Sequence, residues 1–408
     1  MKLRVAAFLF SLSPIAIAGQ AYAQMTPEAA AALQQPIAVE RDENATSVVL
    51  VPHMGKLAIH ASLNGVERQF VFDTGSPSMI SRNLADELSL EVIGTNTGRD
   101  ANGRKVTTDI AIVDRLTIGG VAFRNVPVLI ADFQTADPDR CFFDGGVIGS
   151  EIFPGSVWHI DAETQRLQIA KSLEDLGDRS AAGTAISARL HDFGYPHAPV
   201  FDYAVGSLED RGLFDTGSSE TITLFDRVAE DQRVKGAMVP NSIRKGRGSH
   251  GVSAAGAGAV TDLLRFEIDG VHLGDEDLGR NSGTTRNSPP SLIGLGILNT
   301  HDVTLDYPGE RILLHPRDNV QAKAAHPGYA LMRFGGEVRV VQLFDGSAAQ
   351  RSGLKLGDRV VAIDGRNLLA EEAPCETMKW LVESRPTQSA RRLTVLREGR
   401  PVTIDLED

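Results

Sequence analysis

Two carboxylates in matching settings are the chemistry this sequence offers first. Asp73 stands in Phe72-Asp73-Thr74-Gly75-Ser76 and Asp215 in Phe214-Asp215-Thr216-Gly217-Ser218, 142 residues further on. Each follows a short apolar run. An ionised carboxylate can act as a general base and a protonated one as a general acid, so two of them can do both tasks if the fold brings them together. One carboxylate cannot be base and acid at once. The elements around each copy must therefore supply the placement.

Those elements repeat as well. In "KLAIHASLNGVERQFVF" two strands are joined by Asn64-Gly65, a dipeptide that tolerates positive φ at both positions of a hairpin turn. After the first Asp come "RLTIGGVAF", then Val147-Ile148-Gly149, then "VWHIDAETQRLQI"; after the second come "LRFEIDGVHL", then Leu292-Ile293-Gly294, then "DVTLDYPGERILL". Asp73 to Gly149 is 76 residues and Asp215 to Gly294 is 79, while Gly149 to Asp161 and Gly294 to Asp306 are both 12. Four landmarks in one order at nearly one spacing indicate that whole units are duplicated. Asp161 and Asp306 each end a strand before a turn and are read as turn-formers.

This motif set resembles the aspartic peptidases, particularly the compact retropepsin-like ones, over residues 46 to 316. The resemblance implies a mainly β fold of two homologous retropepsin-like β-barrel lobes related by a pseudo-twofold axis, residues 46–172 and 185–316, with Asp73 and Asp215 in the cleft between them. It further implies peptide-bond hydrolysis through a shared water, with neither a covalent intermediate nor a metal or other cofactor. Held side by side, two carboxyl groups cannot both stay ionised, and the pair titrates as a unit. By the same resemblance Gly75 and Gly217 allow a tight turn and close approach, and Thr74 and Thr216 brace the two loops by hydroxyl hydrogen bonds. Ser76 and Ser218 donate toward the carboxylates, and Gly149 and Gly294 support the loops from behind. Hairpin flaps are expected at residues 97–108, with Asn102 and Gly103 at the tip, and at the Gly/Ala-rich stretch 246–260. Neither stretch carries the Tyr of pepsin-like flaps.

Residues 327–408 change character. Ser347-Ala348-Ala349, Gly353-Leu354, Gly357-Asp358 and Asp364-Gly365 resemble a PDZ domain of the bacterial type. That resemblance implies peptide-terminus binding at Gly328, Tyr329, Ala330 and Leu331, where the usual Gly-Leu-Gly-Phe-like loop is replaced. A C-terminal peptide is the expected ligand there.

The N-terminus reads as an address. Lys2 and Arg4, the 14-residue apolar stretch "VAAFLFSLSPIAIA" and Ala21-Tyr22-Ala23 form a signal peptide over residues 1–23, and residues 24–45 form a Gln/Ala/Pro-rich leader. The mature chain is expected outside the inner membrane, periplasmic or secreted, without stable membrane insertion. It is expected to work as a monomer on protein or peptide substrates. A net charge of -12 argues against nucleic acid as a partner. Cys141 and Cys375, 234 residues apart, fall in different predicted domains and are not expected to pair. The competing reading is a catalytically silent two-lobed scaffold whose PDZ domain binds envelope proteins.

Overall fold

The computed structural model describes residues 26–406 apart from 136, 138–139, 181–184, 255, 275, 319–325, 370–373 and 385. The signal peptide read at residues 1–23 lies outside the described residues. The chain is mainly β.

Each copy of the repeat begins with a hairpin whose second strand runs into the Asp. In the first, Lys56–Leu63 pairs antiparallel with Val66–Phe72, with Ala58 opposite Val71. Asn64 and Gly65 take φ of 48° and 91°, as a two-residue hairpin turn requires. In the second, Val200–Val205 pairs with Leu208–Asp215, with Val200 opposite Leu213. A short strand then lies parallel to the end of each hairpin: Gly146–Ile148 beside Phe70 to Phe72, and Ser291–Gly294 beside Gly212 to Asp215. Such parallel neighbours are buried on both faces, which is why "VIG" and "LIG" are apolar throughout.

The two units share one antiparallel sheet. Its strands run in the order Ala45–Val49, Arg166–Ala170, Val157–Asp161, His301–Asp306, Arg311–Pro316 and Ile186–His191. Its central pair joins the lobes, with Trp158 opposite Leu305 and Val157 opposite Asp306. Trp158 is fully buried and stacks on Phe72 and Phe123, with ring centroids 6.1 and 5.9 Å apart. Burying an aromatic of this size contributes roughly 1.5–3 kcal/mol. The stack also anchors the residue immediately before Asp73. Asp161 and Asp306 hold the turns that close this sheet, accepting from the amides of Thr164 and Gly309 at 2.8 and 2.9 Å.

The leader is not a separate segment. Helix Pro27–Leu33 buries Ala29 and Leu33 against Ile110 and Leu129, and Ala38–Arg41 pairs with Val121 to Arg124 in the first lobe's sheet. Alternating exposure along Ala38–Arg41 suits an edge strand, so the first lobe takes in residues ahead of 46.

Residues from 327 on build their own core around Tyr329, Val340, Leu354, Val360, Leu393 and Val395. This module is fastened to both lobes. Its strand Glu337–Phe344 continues the second lobe's sheet through Arg244–Gly248, with Arg247 opposite Leu343, and Gln342 Nε2 donates to the Ser249 carbonyl at 2.8 Å. Its helix Pro374–Glu383 reaches the first lobe, where Cys375 is disulfide-bonded to Cys141. The expectation that these cysteines stay apart is therefore corrected. Sequence separation assigned them to different units, but the module folds back so that their Cα atoms lie 5.0 Å apart, within the reach of a disulfide.

Candidate active site

The loops that follow Phe72 and Phe214 meet at the junction of the lobes. Thr74 Oγ1 donates to the Phe214 carbonyl at 2.6 Å and accepts from the Thr216 amide at 3.0 Å. Thr216 Oγ1 donates to the Phe72 carbonyl at 2.6 Å and accepts from the Thr74 amide at 3.0 Å. Both threonines have no solvent exposure. Four buried bonds thus cross between segments about 140 residues apart, and each hydroxyl satisfies a backbone group that would otherwise be stranded.

This grip sets the two carboxyl groups against one another. Asp73 Oδ1 accepts from the Gly75 amide at 2.9 Å and Asp215 Oδ1 from the Gly217 amide at 2.8 Å. A Cβ added to Gly75 would sit 2.5 Å from Asp215 Oδ1, and one added to Gly217 would sit 2.5 Å from Asp73 Oδ2. Neither glycine has positive φ. Close approach to the opposite carboxylate, rather than backbone conformation, therefore excludes a side chain at both.

Electrostatics follow from that proximity. The Asp73 carboxyl is pushed up to about 7, first by burial and then by the Asp215 charge, against the lowering effects of the Gly75 amide and of Lys56. Lys56 Nζ donates to the Gly217 carbonyl and, at 3.0 Å, to Ser219 Oγ. Burial lowers the Lys56 ammonium below its usual value, while Asp215 and Asp73 act in the opposite sense. Arg286, which donates to Ser288 Oγ at 3.1 Å, is likewise lowered by burial and raised by Asp215.

Behind each loop stands a glycine without room for a side chain. A Cβ on Gly149 would meet the Ser76 carbonyl at 2.2 Å, and one on Gly294 the Glu220 and Ser218 carbonyls at 2.5 and 2.6 Å. The residue after each ties the loop down: the Ser150 amide donates to the Ser76 carbonyl at 2.9 Å and the Leu295 amide to the Ser218 carbonyl at 2.8 Å. The serine roles expected from sequence are corrected. Ser76 Oγ donates to the Pro77 carbonyl at 3.1 Å, and Ser218 enters the support through its backbone, its amide donating to the Asp215 carbonyl at 3.0 Å. Amides of the tight loop already occupy the inner carboxylate oxygens, so hydroxyls are not needed there.

Residues 59–152 match the family model described as aspartyl protease. That segment holds the first Asp-Thr-Gly loop and Gly149 and is similar to aspartyl proteases. Among solved structures, the aspartic proteinase from Irpex lacteus matches at 13% identity with a TM-score of 0.43, over 68% of this chain and 99% of that one. No curated protein matches.

The two flap stretches also come together. Strands Gly94–Arg99 and Lys105–Ile118 form the first hairpin, and the tip is closed by the Gly103 amide on the Asp100 carbonyl at 2.8 Å. Gly103 has φ of 76°. In the second stretch Val252–Ser253 pairs with Gly256–Ala257. Asn102 Nδ2 donates to Ser253 Oγ at 2.7 Å, and Ser253 Oγ donates to Asp100 Oδ2 at 2.6 Å.

At the C-terminal module the expected peptide site is only partly free. Tyr329 is 2% exposed and packed in the module core, so its side chain cannot line a groove. The Gly328 amide donates to His326 Nδ1 at 3.1 Å and its carbonyl accepts from Phe344 at 2.9 Å. Ala330 and Leu331 are half-buried on Tyr329–Phe334, a strand whose sheet partner among the described residues is Glu337–Phe344.

Sequence reasoning missed three site features. Lys56 is a lone lysine on a hairpin, with no motif to mark it. Arg286 lies on a polar strand whose approach to Asp215 is long-range. Glu151, which follows Gly149-Ser150, is 1% exposed and accepts from the Ser78 amide at 2.8 Å behind the first loop. Its placement two residues past a support glycine was the available signal.

Proposed function

We propose that this chain is an aspartic endopeptidase acting through the Asp73/Asp215 dyad. The observation that carries the reading is the mutual seating of the two carboxyls, each against the other loop's glycine and both locked by Thr74 and Thr216. A scaffold places no demand on either carboxylate.

The chemistry follows from one proton shared by two acids. The ionised member takes a proton from a water held between the carboxyls as its oxygen attacks the scissile carbonyl carbon. The protonated member hydrogen-bonds and then protonates the carbonyl oxygen, giving a neutral tetrahedral gem-diol. When the C–N bond breaks, a proton passes to the leaving nitrogen and the second product is the carboxylic acid. Keeping one carboxyl protonated near neutrality matches the upward push on Asp73. The hairpins that join through Asn102 and Ser253 close over a bound peptide.

In this reading the chain is exported and works as a monomer in the periplasm or outside the cell. The C-terminal module acts as a PDZ domain that recruits or positions protein substrates, with a C-terminal peptide as its ligand. Its strand continuing into the arm of the second hairpin supports that coupling.

Cleavage of an unbiased peptide library across pH tests the reading, with the mature chain measured beside Asp73→Asn and Asp215→Asn. Each variant should lose at least about a thousandfold in kcat/KM, as expected when an acid–base partner is removed. Equal behaviour of all three chains would sink the enzyme. Activity that rises with dimer fraction in sedimentation-matched samples would overturn the monomer.

A further inference from the structure

The C-terminal module meets the first lobe along one face of its helix. Cys375 and Val382 lie about two turns apart on Pro374–Glu383, so they share that face. Cys375 is bonded to Cys141, and a Cβ added to Gly55 would sit 2.9 Å from Val382 Cγ1. Next to Val382, Glu383 accepts from the Met54 amide at 3.4 Å. The loop that carries Cys141 is itself tied down, because the Asp137 carboxylate accepts from the amides of Cys141, Phe142 and Phe143 at 2.8, 2.6 and 2.8 Å. From this loop the Phe142 carbonyl accepts from His53 Nε2 at 2.9 Å. Both ends of the helix face thus lead to one turn, His53-Met54-Gly55-Lys56. Met54 and Gly55 take φ of 49° and 76°, and His53 pairs with Lys56 across them.

On its other side the same turn holds the second Asp-Thr-Gly loop. Lys56 Nζ donates to the Gly217 carbonyl and to Ser219 Oγ, and Ser219 Oγ donates to the Gly55 carbonyl at 3.4 Å. Gly217 is the residue whose amide holds Asp215 Oδ1. The turn therefore bridges the module and the dyad. We propose that Val382 and Glu383 of the C-terminal module are positioning residues for the dyad: they fix the His53-Lys56 turn and, through Lys56, the loop that carries Asp215. The module is then part of the catalytic unit as well as a place for substrate to dock. A charged donor makes stronger hydrogen bonds than a neutral one, so Lys56 passes the position of its turn to Gly217. Misplacing a reacting group by about 1 Å can cost on the order of a hundredfold in rate, so a modest loosening of this turn is felt in kcat.

The inference rests on the dyad reading of the site, so its test pairs a measurement of the loop with a measurement of cleavage. The amides of Thr216, Gly217 and Ser218 are all hydrogen-bonded, to Thr74 Oγ1, Asp215 Oδ1 and the Asp215 carbonyl, and their hydrogen exchange reports the loop. Exchange is followed in the full mature chain with its disulfide intact, in the double variant Val382→Ala, Glu383→Ala, in Lys56→Met and in Glu383→Gln. It should rise about tenfold in the double variant and in Lys56→Met, while strand Val157–Asp161 stays protected as in the wild type. Glu383→Gln, which keeps an acceptor for the Met54 amide, should follow the wild type. Unchanged exchange of the three amides in Lys56→Met would overturn the proposal whether or not the double variant folds. On a peptide with an amidated C-terminus, too short to span both cleft and module, kcat should fall about tenfold in the double variant with KM nearly unchanged. Adding Lys56→Met to the double variant should lower kcat no further than Lys56→Met does alone, because the effects run through one contact. A loss confined to long substrates, or losses that multiply when the three substitutions are combined, would sink the idea. If the wild type cleaves nothing while exchange behaves as expected, the peptidase falls and the coupling stands, whereas cleavage beside unchanged exchange removes only the inference.

Discussion

Asn102 and Ser253, 151 residues apart and on hairpins of different lobes, are joined by a 2.7 Å hydrogen bond from the Asn amide nitrogen to the Ser hydroxyl. Ser253 Oγ donates in turn to Asp100 Oδ2, so one partly buried network holds both tips. A side-chain hydrogen bond of this kind contributes about 0.5–1.5 kcal/mol. Asn102→Ala should accordingly raise KM for a long peptide by about two- to tenfold, with a smaller effect on kcat, in steady-state kinetics. An unchanged KM would show that the joined tips contribute nothing to holding substrate.

The threonine grip makes a sharper demand. Thr216→Val removes a donor to the Phe72 carbonyl and an acceptor for the Thr74 amide, both buried. Leaving such groups unpaired costs about 1–3 kcal/mol each. Chemical denaturation should show a loss of that order, and kcat should fall at least about tenfold because the carboxyls lose their mutual placement. Thr216→Ser, which keeps the hydroxyl, should recover most of both.

Glu151 predicts a pH signature in stability. Burial pushes its carboxyl up to about 7, against the lowering effect of the Ser78 amide and hydroxyl, and its Oε1 has no partner among the described residues. A carboxyl raised in the folded state binds a proton that the unfolded chain releases near its ordinary value of 4.5. Its contribution is therefore fully present below about 4.5 and is lost as pH rises through about 7. Glu151→Gln should flatten this part of the Tm-versus-pH curve and raise Tm above pH 7, since the amide oxygen can still accept from Ser78. A Glu151→Gln curve parallel to that of the wild type from pH 4 to 8 would contradict the assignment.

The Cys141–Cys375 bond ties the C-terminal module to the first lobe. Closing so long a loop restricts the unfolded chain, and in the chain-entropy model such bonds contribute about 2–5 kcal/mol. Intact protein should show no reactive thiol until it is reduced. The double variant Cys141→Ser, Cys375→Ser should have a lower Tm, with residues 327–406 melting ahead of the rest in calorimetry. One undivided transition at the wild-type temperature would mean that the strand contact through Arg247 and Leu343 fastens the module alone.

Local chemistry made part of this protein legible in its residues. The hairpin at Asn64-Gly65 follows from a dipeptide that accepts positive φ, and the apolar "VIG" and "LIG" runs announce strands buried on both faces. Duplication marked both Asp-Thr-Gly loops and both support glycines, because a repeat is visible without any knowledge of the path between its copies. Tertiary structure decided what depends on that path. It brought Lys56 to the Gly217 carbonyl, Cys375 to Cys141, and the supposed leader into the first lobe's sheet. It also gave the inner carboxylate oxygens to glycine amides instead of serine hydroxyls. Each of these joins residues distant along the chain, with no periodicity or spacing to announce it. Sequence carries the preferences of neighbours along the chain, whereas the charge beside the dyad depends on which distant side chains the packed lobes leave within a few ångströms of it.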